Sequence, residues 1–152
     1  MNRVSAEAVI EAVAAWARTR DDVRALALVG SWARGNARPT SDVDLLVLSD
    51  CAEEYRRRRE WMSEIDFDRA GHSIKSSNDA TYGAVWSRHI HLHPAAEVEL
   101  TFARCDWANV APIDSGNCAI VRDAFRIILD KDAILARLIR AVAASKQTPT
   151  SS

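Results

Sequence analysis

Hydrophobic residues recur along this chain first at helical and then at strand spacing. The first apolar stripe predicts an amphipathic helix with Ser5 as its N-cap. Its members are Val9, Ile10, Val13 and Trp16. Two short apolar runs, residues 23–29 and 42–48, predict buried strands. The polar segment between them contains Gly and Pro, so we expect a loop with at most one helical turn near Trp32.

Residues 84–103 show two stretches of strict alternation and predict a hairpin. Apolar positions alternate with histidines in the first stretch and with acidic residues in the second. A short Pro-Ala-Ala loop joins them, and this register places His93 opposite Glu97 and His91 opposite Glu99. One face of the hairpin is then apolar, and the other carries carboxylates and imidazoles.

The remaining stretches complete one α/β domain. Asp130 or Asp132 can cap a final helix that ends at Ala144. We expect this domain to span residues 1–145 and a flexible tail to occupy residues 146–152. The other predicted elements are a helix at 51–65, an irregular strand and loop at 66–83, and a strand at 125–129.

Composition narrows the class of protein. The chain has 152 residues, of which 48 % are hydrophobic and 27 % charged, as in a single globular domain. With 20 basic and 21 acidic residues it lacks the charge of a general nucleic-acid or membrane-surface binder. Three cysteines without CxxC spacing argue against a disulfide framework. We therefore expect a cytoplasmic protein that neither spans membranes nor binds nucleic acid stably.

The densest chemical signal lies between the first two strands. Gly30 and Ser31 end the first strand, and Asp42 and Asp44 open the second. Two carboxylates separated by one strand residue point to the same face and suit Mg²⁺, while a Gly-Ser turn offers amides and a hydroxyl to phosphate. Each half alone is more often a plain turn or a solvated strand edge. Together they predict a metal–triphosphate site.

The segment GSWARGNARPTSDVDLLVL, residues 30–48, resembles the signature of the DNA polymerase beta superfamily of nucleotidyltransferases. The resemblance implies a mixed sheet of about five strands packed against helices on one side. It also implies that Gly30 and Ser31 hold phosphates and that Asp42 and Asp44 bind metal.

A third carboxylate on a neighbouring strand is also implied. Glu99 fits this role best, and Glu97 is the alternative. Glu99 is a departure from the family pattern, because many members carry Asp there. His91, as the expected cross-strand partner of Glu99, is a candidate proton relay.

Other polar residues near the signature have two interpretations each. Arg34 can reach the triphosphate as a fork donor or be a surface arginine. Ser41 can brace the nucleotide-binding loop by bonding to backbone. Three histidines along one strand, at positions 89, 91 and 93, are poorly arranged for tetrahedral zinc, so we expect acceptor or proton contacts or plain surface there.

The resemblance implies an enzyme that uses two Mg²⁺ ions and ATP or another nucleoside triphosphate. It would transfer a nucleoside monophosphate, AMP from ATP in the leading hypothesis, to a hydroxyl of a small molecule such as an aminoglycoside-like antibiotic. One alternative is an antitoxin-type nucleotidyltransferase that modifies or masks a partner protein. The other is a non-catalytic remnant that binds nucleotide.

Overall fold

A mixed sheet of six strands organises residues 1–147, which are the residues that the computed structural model describes. The strands are β1 (Val23–Val29), β2 (Val43–Ser49), β3 (Ser73–Tyr82), β4 (Val85–His93), β5 (Ala96–Ala103) and β6 (Arg126–Asp130). Their order is β3-β4-β5-β2-β1-β6. β2 and β5 run parallel, and the other neighbours are antiparallel. The sheet thus has one strand more than the five expected.

Within the described residues, five α-helices and three 3₁₀ turns connect and cover the strands. The helices are α1 (Arg3–Thr19), α2 (Gly30–Arg34), α3 (Ala52–Arg57), α4 (Ser115–Asp123) and α5 (Ile134–Gln147). The 3₁₀ turns are Glu60–Glu64, Phe67–Ala70 and Cys105–Ala108.

The sequence analysis expected helices on one face of the sheet. In the structure, helices pack on both faces. Alternate residues of each central strand enter two separate apolar clusters. Leu45 and Val47 pack with α1 on one face, whereas Leu46 and Leu48 pack with α5 on the other. A continuous apolar strand is buried on both sides, which explains why β1 and β2 show no alternation in sequence.

The face covered by α5 is only partly apolar. Its apolar cluster includes Ala25 and Ala27 of β1 and Ala103 at the end of β5. On β4 and the first half of β5, the same face instead presents polar side chains, such as the hydrogen-bonded pair of Ser87 and Thr101. This polar half of the sheet is where the candidate site lies.

Several predicted boundaries change because side chains cap the elements. The N-cap of α1 is Asn2 rather than Ser5, since its Oδ1 accepts a hydrogen bond from the amide of Ser5. Asp130 accepts from the amides of Leu135 and Ala136 and so caps α5, as predicted. α5 continues to Gln147, past the predicted end, and residues 148–152 of the predicted tail lie outside the described residues.

The predicted helix at 51–65 is interrupted after Arg57. Trp61 Nε1 donates to the carbonyls of Tyr55 and Arg58, and the guanidinium of Arg88 on β4 also donates to both carbonyls and to that of Arg56. These donors satisfy the carbonyls that a further helical turn would have used. The interruption is therefore a tertiary effect that local helical composition does not reveal.

The hairpin of β4 and β5 forms with the predicted faces but with a different register. His91 pairs with Glu97 and His89 with Glu99, because the turn is centred on Pro94 and Ala96 pairs with Leu92. The predicted pairing of His91 with Glu99 is therefore wrong. Ala96 is 5 % exposed, so the observed register buries an alanine that the predicted loop would have left in solvent.

Candidate active site

Two acidic residues from parallel strands form the base of the site. Asp44 on β2 pairs directly with Glu99 on β5, so the two side chains share a face. Asp42, two residues before Asp44, lies just before β2 begins at Val43. Ligand atoms of Asp42, Glu99 and His89 all lie within 4.8 Å of one another. The sheet topology thus gathers the three acids that the sequence analysis put forward.

A polar chain leads from these acids along the hairpin. Nε2 of His89 lies 3.4 Å from Oδ2 of Asp42 and 3.2 Å from Oε2 of Glu97. Oε1 of Glu97 lies 2.9 Å from Nδ1 of His91, whose Nε2 lies 2.8 Å from Oδ1 of Asn78. Glu97 therefore contacts both histidines, while Glu99 lies deeper, next to Asp44.

The crowding of carboxylates alters their protonation. Burial and the neighbouring Glu99 and Asp42 carboxylates raise the pKa of Asp44 to about 7. Burial and a hydrogen bond to Glu97 also raise the pKa of Asp42. The pKa of Glu97 is lowered, because Asp42 and His91 donate hydrogen bonds to it. The site therefore holds more negative charge than it can keep fully ionised near neutral pH, and a cation would relieve this repulsion.

Gly30 allows the close approach of Asp44. It has φ +74°, and a Cβ atom at this position would lie 2.4 Å from Oδ2 of Asp44. Ser31 follows within the five-residue helix α2, and its carbonyl accepts from Asn36. Gly35 ends this helix with φ +78°. Gly30 thus lies beside Asp44, whereas phosphate binding by Gly30 and Ser31 stays a prediction.

The loop between α2 and β2 is braced from within. The amide of Arg38 donates to Oγ of Ser41, and Trp32 Nε1 donates to the carbonyl of Ser41. The predicted hydrogen bond of Ser41 to backbone is thus present, whereas its part in nucleotide binding stays a prediction. Trp32 also packs against the core, so in this structure it supports the loop.

Arg34 has a protein partner. Its Nη1 lies 2.7 Å from Oδ2 of Asp123 at the end of α4, and both side chains are partly exposed. Sequence analysis missed α4, because this short helix has no fully buried residue. The ion pair joins α2 to α4. Binding of a triphosphate by Arg34 stays a prediction.

Sequence analysis missed Asn78 and the contact between His89 and Asp42. His89 contacts Asp42, and Asn78 contacts His91 from β3. The partner of His89 depends on the register between β4 and β5, which the alternation of apolar and polar residues does not determine. Asn78 lies on a strand whose sequence, SIKSSNDATY, has no clear alternation, so nothing in it indicated a strand beside the histidines.

A cavity of about 610 Å³ opens beside the outer end of this polar chain. Polar residues including His91, Glu97 and Lys75 line it, together with apolar residues such as Pro39 and Leu92. Pockets of 300–1,000 Å³ commonly accept small molecules. The cavity lies on the Glu97 side of the site, away from Gly30.

The donors of Asp42, Asp44 and Glu99 suit a hard divalent cation. All three offer carboxylate oxygens, the ligands that Mg²⁺ prefers over nitrogen or sulfur. Burial and neighbouring carboxylates raise the pKa values of Asp42 and Asp44, and a bound cation would offset both effects. The residues present therefore fit a Mg²⁺ ion.

Comparison with known proteins agrees with this geometry. Within residues 1–147, no helix is long and apolar enough to cross a membrane. A search of curated proteins finds no significant match. The family model of the nucleotidyltransferase domain matches residues 10–77, which include Gly30, Ser31, Asp42 and Asp44. Residues 10–77 therefore match a nucleotidyltransferase domain, which is consistent with the resemblance of residues 30–48 to the DNA polymerase beta superfamily.

Proposed function

We propose that this protein is a Mg²⁺-dependent nucleotidyltransferase that transfers AMP from ATP to a hydroxyl group of a small molecule. The observation that carries the proposal is the gathering of Asp42, Asp44 and Glu99 on one face beside Gly30 and Ser31. Carboxylates so arranged can hold divalent ions against a triphosphate.

Each residue has a distinct task in this proposal. Asp42 and Asp44 hold two Mg²⁺ ions, and Glu99 is the third ligand. When bound, the ions neutralise charge that develops on the phosphate and lower the pKa of the attacking hydroxyl. Ser31 donates its hydroxyl to the β- and γ-phosphates, with help from nearby amides.

The reaction is an in-line displacement at the α-phosphorus. The acceptor oxygen forms a bond to this phosphorus, the bond to the bridging oxygen of the β-phosphate breaks, and pyrophosphate leaves. Glu99 accepts the proton of the acceptor hydroxyl, being the carboxylate nearest to Asp44 on the adjacent strand. His89, rather than the predicted His91, is in position to pass that proton outward, since it pairs with Glu99, has a ligand atom within 4.8 Å of it, and also contacts Glu97.

The cavity beside Glu97 is the proposed acceptor site. Its volume of about 610 Å³ suits a molecule of the size of a few sugar rings. Glu97 on its wall provides a carboxylate for a positively charged group of the acceptor. An aminoglycoside-like antibiotic combines that charge with several hydroxyl groups, so it is the first acceptor class to screen.

Calorimetric titration tests the donor site. The wild-type protein and the Asp42→Asn/Asp44→Asn double variant are titrated with analogues of ATP, GTP, CTP and UTP whose α–β linkage cannot be cleaved, with and without Mg²⁺. The proposal expects ATP-analogue binding that requires Mg²⁺ and is lost in the double variant. Binding of no triphosphate would overturn it.

A second assay identifies the acceptor. Protein, Mg²⁺ and α-labelled ATP are incubated with aminoglycosides, and label transfer is followed alongside pyrophosphate release. Label on the small molecule supports the proposal. Label on a co-purifying protein would instead favour the antitoxin-type alternative, and Mg²⁺-dependent binding without transfer to either would favour the non-catalytic one.

A further inference from the structure

We propose that His89, His91 and Glu97 form a binding site for a divalent transition metal ion, with Zn²⁺ as the best match, separate from the carboxylates proposed to hold Mg²⁺. The inference rests on the arrangement of these three side chains and not on nucleotidyl transfer. It concerns the outer part of the polar chain, where the hairpin meets the cavity.

The spacing of the donor atoms fits one small ion. One ligand atom from each residue lies within 4.8 Å of the others. The two oxygens of Glu97 lie 3.2 Å from Nε2 of His89 and 2.9 Å from Nδ1 of His91. In a tetrahedral Zn²⁺ site with Zn–N of about 2.0 Å, ligand atoms are about 3.3 Å apart. The side chains therefore need only small rotations to surround the ion.

The hairpin register adds a third metal donor, which the two histidines on one strand cannot provide. His89 and His91 are two residues apart on β4, and their rings stack with centroids 4.6 Å apart. Histidines on one strand are poorly arranged for tetrahedral binding, which is why sequence analysis disfavoured zinc. Glu97 adds the third donor from the neighbouring strand, because it pairs directly with His91. The donors then come from two strands and can converge on a point above the sheet.

The second ring nitrogen of His91 is held as in known metal sites. Its Nε2 lies 2.8 Å from Oδ1 of Asn78 on β3. Metal-bound histidines commonly donate their other N–H to an oxygen, which fixes the ring and its tautomer. When an ion binds Nδ1 in place of the proton that His91 donates to Glu97, the remaining N–H lies on Nε2, where Asn78 accepts it, and the ion lies between Nδ1 and the Glu97 carboxylate. A cation between them satisfies both groups.

Donor chemistry separates this site from the deeper carboxylates. Two imidazoles and one carboxylate select Zn²⁺ over Mg²⁺, whereas Asp42, Asp44 and Glu99 offer oxygen only. The three side chains are 26 %, 32 % and 43 % exposed, so an ion can enter and keep a water molecule as its fourth ligand. Because His89 also contacts Asp42, an ion that binds its Nε2 takes this nitrogen away from Asp42 and from proton transfer, so Zn²⁺ should inhibit any transfer step that uses His89.

Titration of the intact protein with Zn²⁺, and with Co²⁺ as a spectroscopic probe, tests the inference. Mg²⁺ is kept in excess so that the all-oxygen carboxylates are occupied. We expect one equivalent of Zn²⁺ to bind and Co²⁺ to give the visible absorption of a four-coordinate site. The cysteines are not expected to contribute, so the thiolate-to-Co²⁺ band in the near ultraviolet should be missing.

Three variants locate the ion. His91→Ala removes a ligand and should weaken Zn²⁺ binding by about 100-fold or more. His93→Ala removes an exposed histidine of the same strand that is not in the cluster, and should bind Zn²⁺ like the wild type. Asp44→Asn should also keep Zn²⁺ while losing Mg²⁺-dependent nucleotide binding, so that the two proposals fail or succeed separately.

Two outcomes of these titrations would contradict the proposed Zn²⁺ site. Equal Zn²⁺ affinity of the wild type and His91→Ala would overturn the site, and so would a loss in Glu99→Gln that His91→Ala does not share. The second result would place the ion on Asp42, His89 and Glu99 instead, which is the other group of donors within reach of His89. Circular dichroism of each variant confirms that it is folded before its affinity is compared.

Discussion

A Cβ atom on residue 30 would lie 2.4 Å from Oδ2 of Asp44, so only glycine leaves room for this carboxylate. Position 30 also has φ +74°, a conformation that costs other residues about 1 kcal/mol. We expect Gly30→Ala to displace Asp44 and to lower Mg²⁺-dependent binding of ATP at least about tenfold, measured by calorimetry.

Gly35→Ala is the matched control for this change. Gly35 has a similar φ of +78°, but nothing lies within 4 Å of a Cβ atom there. Both variants should lose about 1 kcal/mol of stability from backbone strain. Only Gly30→Ala should lose nucleotide binding, and equal losses in both would show that strain rather than the Asp44 contact matters.

The choice between Glu99 and Glu97 can be decided by a pair of substitutions on one strand face. Glu99 pairs with Asp44, whereas Glu97 contacts His89 and His91. We expect Glu99→Gln to lower the rate of AMP transfer by about 1,000-fold or more, because it removes a ligand and the proton acceptor.

Glu97→Gln should retain most of the maximal rate, since its oxygens lie farther along the hairpin. Its main expected effect is a higher KM for a cationic acceptor, as Glu97 lines the cavity. Transfer assays at saturating ATP with varied acceptor measure both quantities. Loss of turnover in Glu97→Gln with normal turnover in Glu99→Gln would reverse the assignment.

The sequence predicted the strands that are apolar throughout. For the alternating strands, it predicted which residues lie on each face. β1 coincides with the predicted residues 23–29, because both of its faces are buried. The hairpin was predicted with the right faces, yet its register moved by two in the pairing of His91, from Glu99 to Glu97. Such a shift keeps every side chain on its face, so alternation cannot detect it.

Some residues of the site could be predicted from local sequence, and others could not. Asp42 and Asp44 follow from local spacing and a family signature, and the structure places them beside Glu99. His89 and Asn78 enter through the register of β4 with its neighbours β5 and β3, which no local pattern encodes. Helix α5 covers a second face because β1 and β2 present small and large apolar residues on both sides.

Asp44 should make stability depend on pH in an unusual direction. Its pKa is raised from 3.8 to about 7, so the folded state keeps a proton that the unfolded chain loses. Stability contributed by this group therefore falls as pH rises from about 4 to about 7 and stays low above that. We expect Asp44→Asn to be more stable than the wild type at pH 8, by about 1–3 kcal/mol, with the difference shrinking toward pH 4.

Urea unfolding at several pH values without metal checks this expectation. Added Mg²⁺ should stabilise the wild type at pH 8 and leave Asp44→Asn nearly unchanged, since ligands stabilise the state that binds them. A variant less stable than the wild type at pH 8 would contradict the raised pKa.

Arg34 offers a test of whether its ion pair or a triphosphate is its main partner. If it also binds phosphate, Arg34→Ala weakens nucleotide binding while Asp123→Ala does not, because the latter frees the guanidinium. We expect this asymmetry, with Arg34→Ala raising the dissociation constant of the ATP analogue about tenfold. If both variants change the dissociation constant only slightly, Arg34 does not bind the triphosphate and only joins α2 to α4.

The guanidinium of Arg88 is fully buried and lies between Trp61 and Trp86, where it forms a two-point ion pair with Asp79. This pair lowers the pKa of Asp79, so its stabilisation exists above the unfolded value near 3.8 and is lost as pH falls through the lower folded value. We expect Asp79→Asn to cost about 2 kcal/mol at pH 7 and progressively less below pH 4, as measured by urea unfolding. Asp106→Asn, which changes an exposed carboxylate, should have little effect, and a pH-independent loss in Asp79→Asn would show that shape rather than charge stabilises this pair.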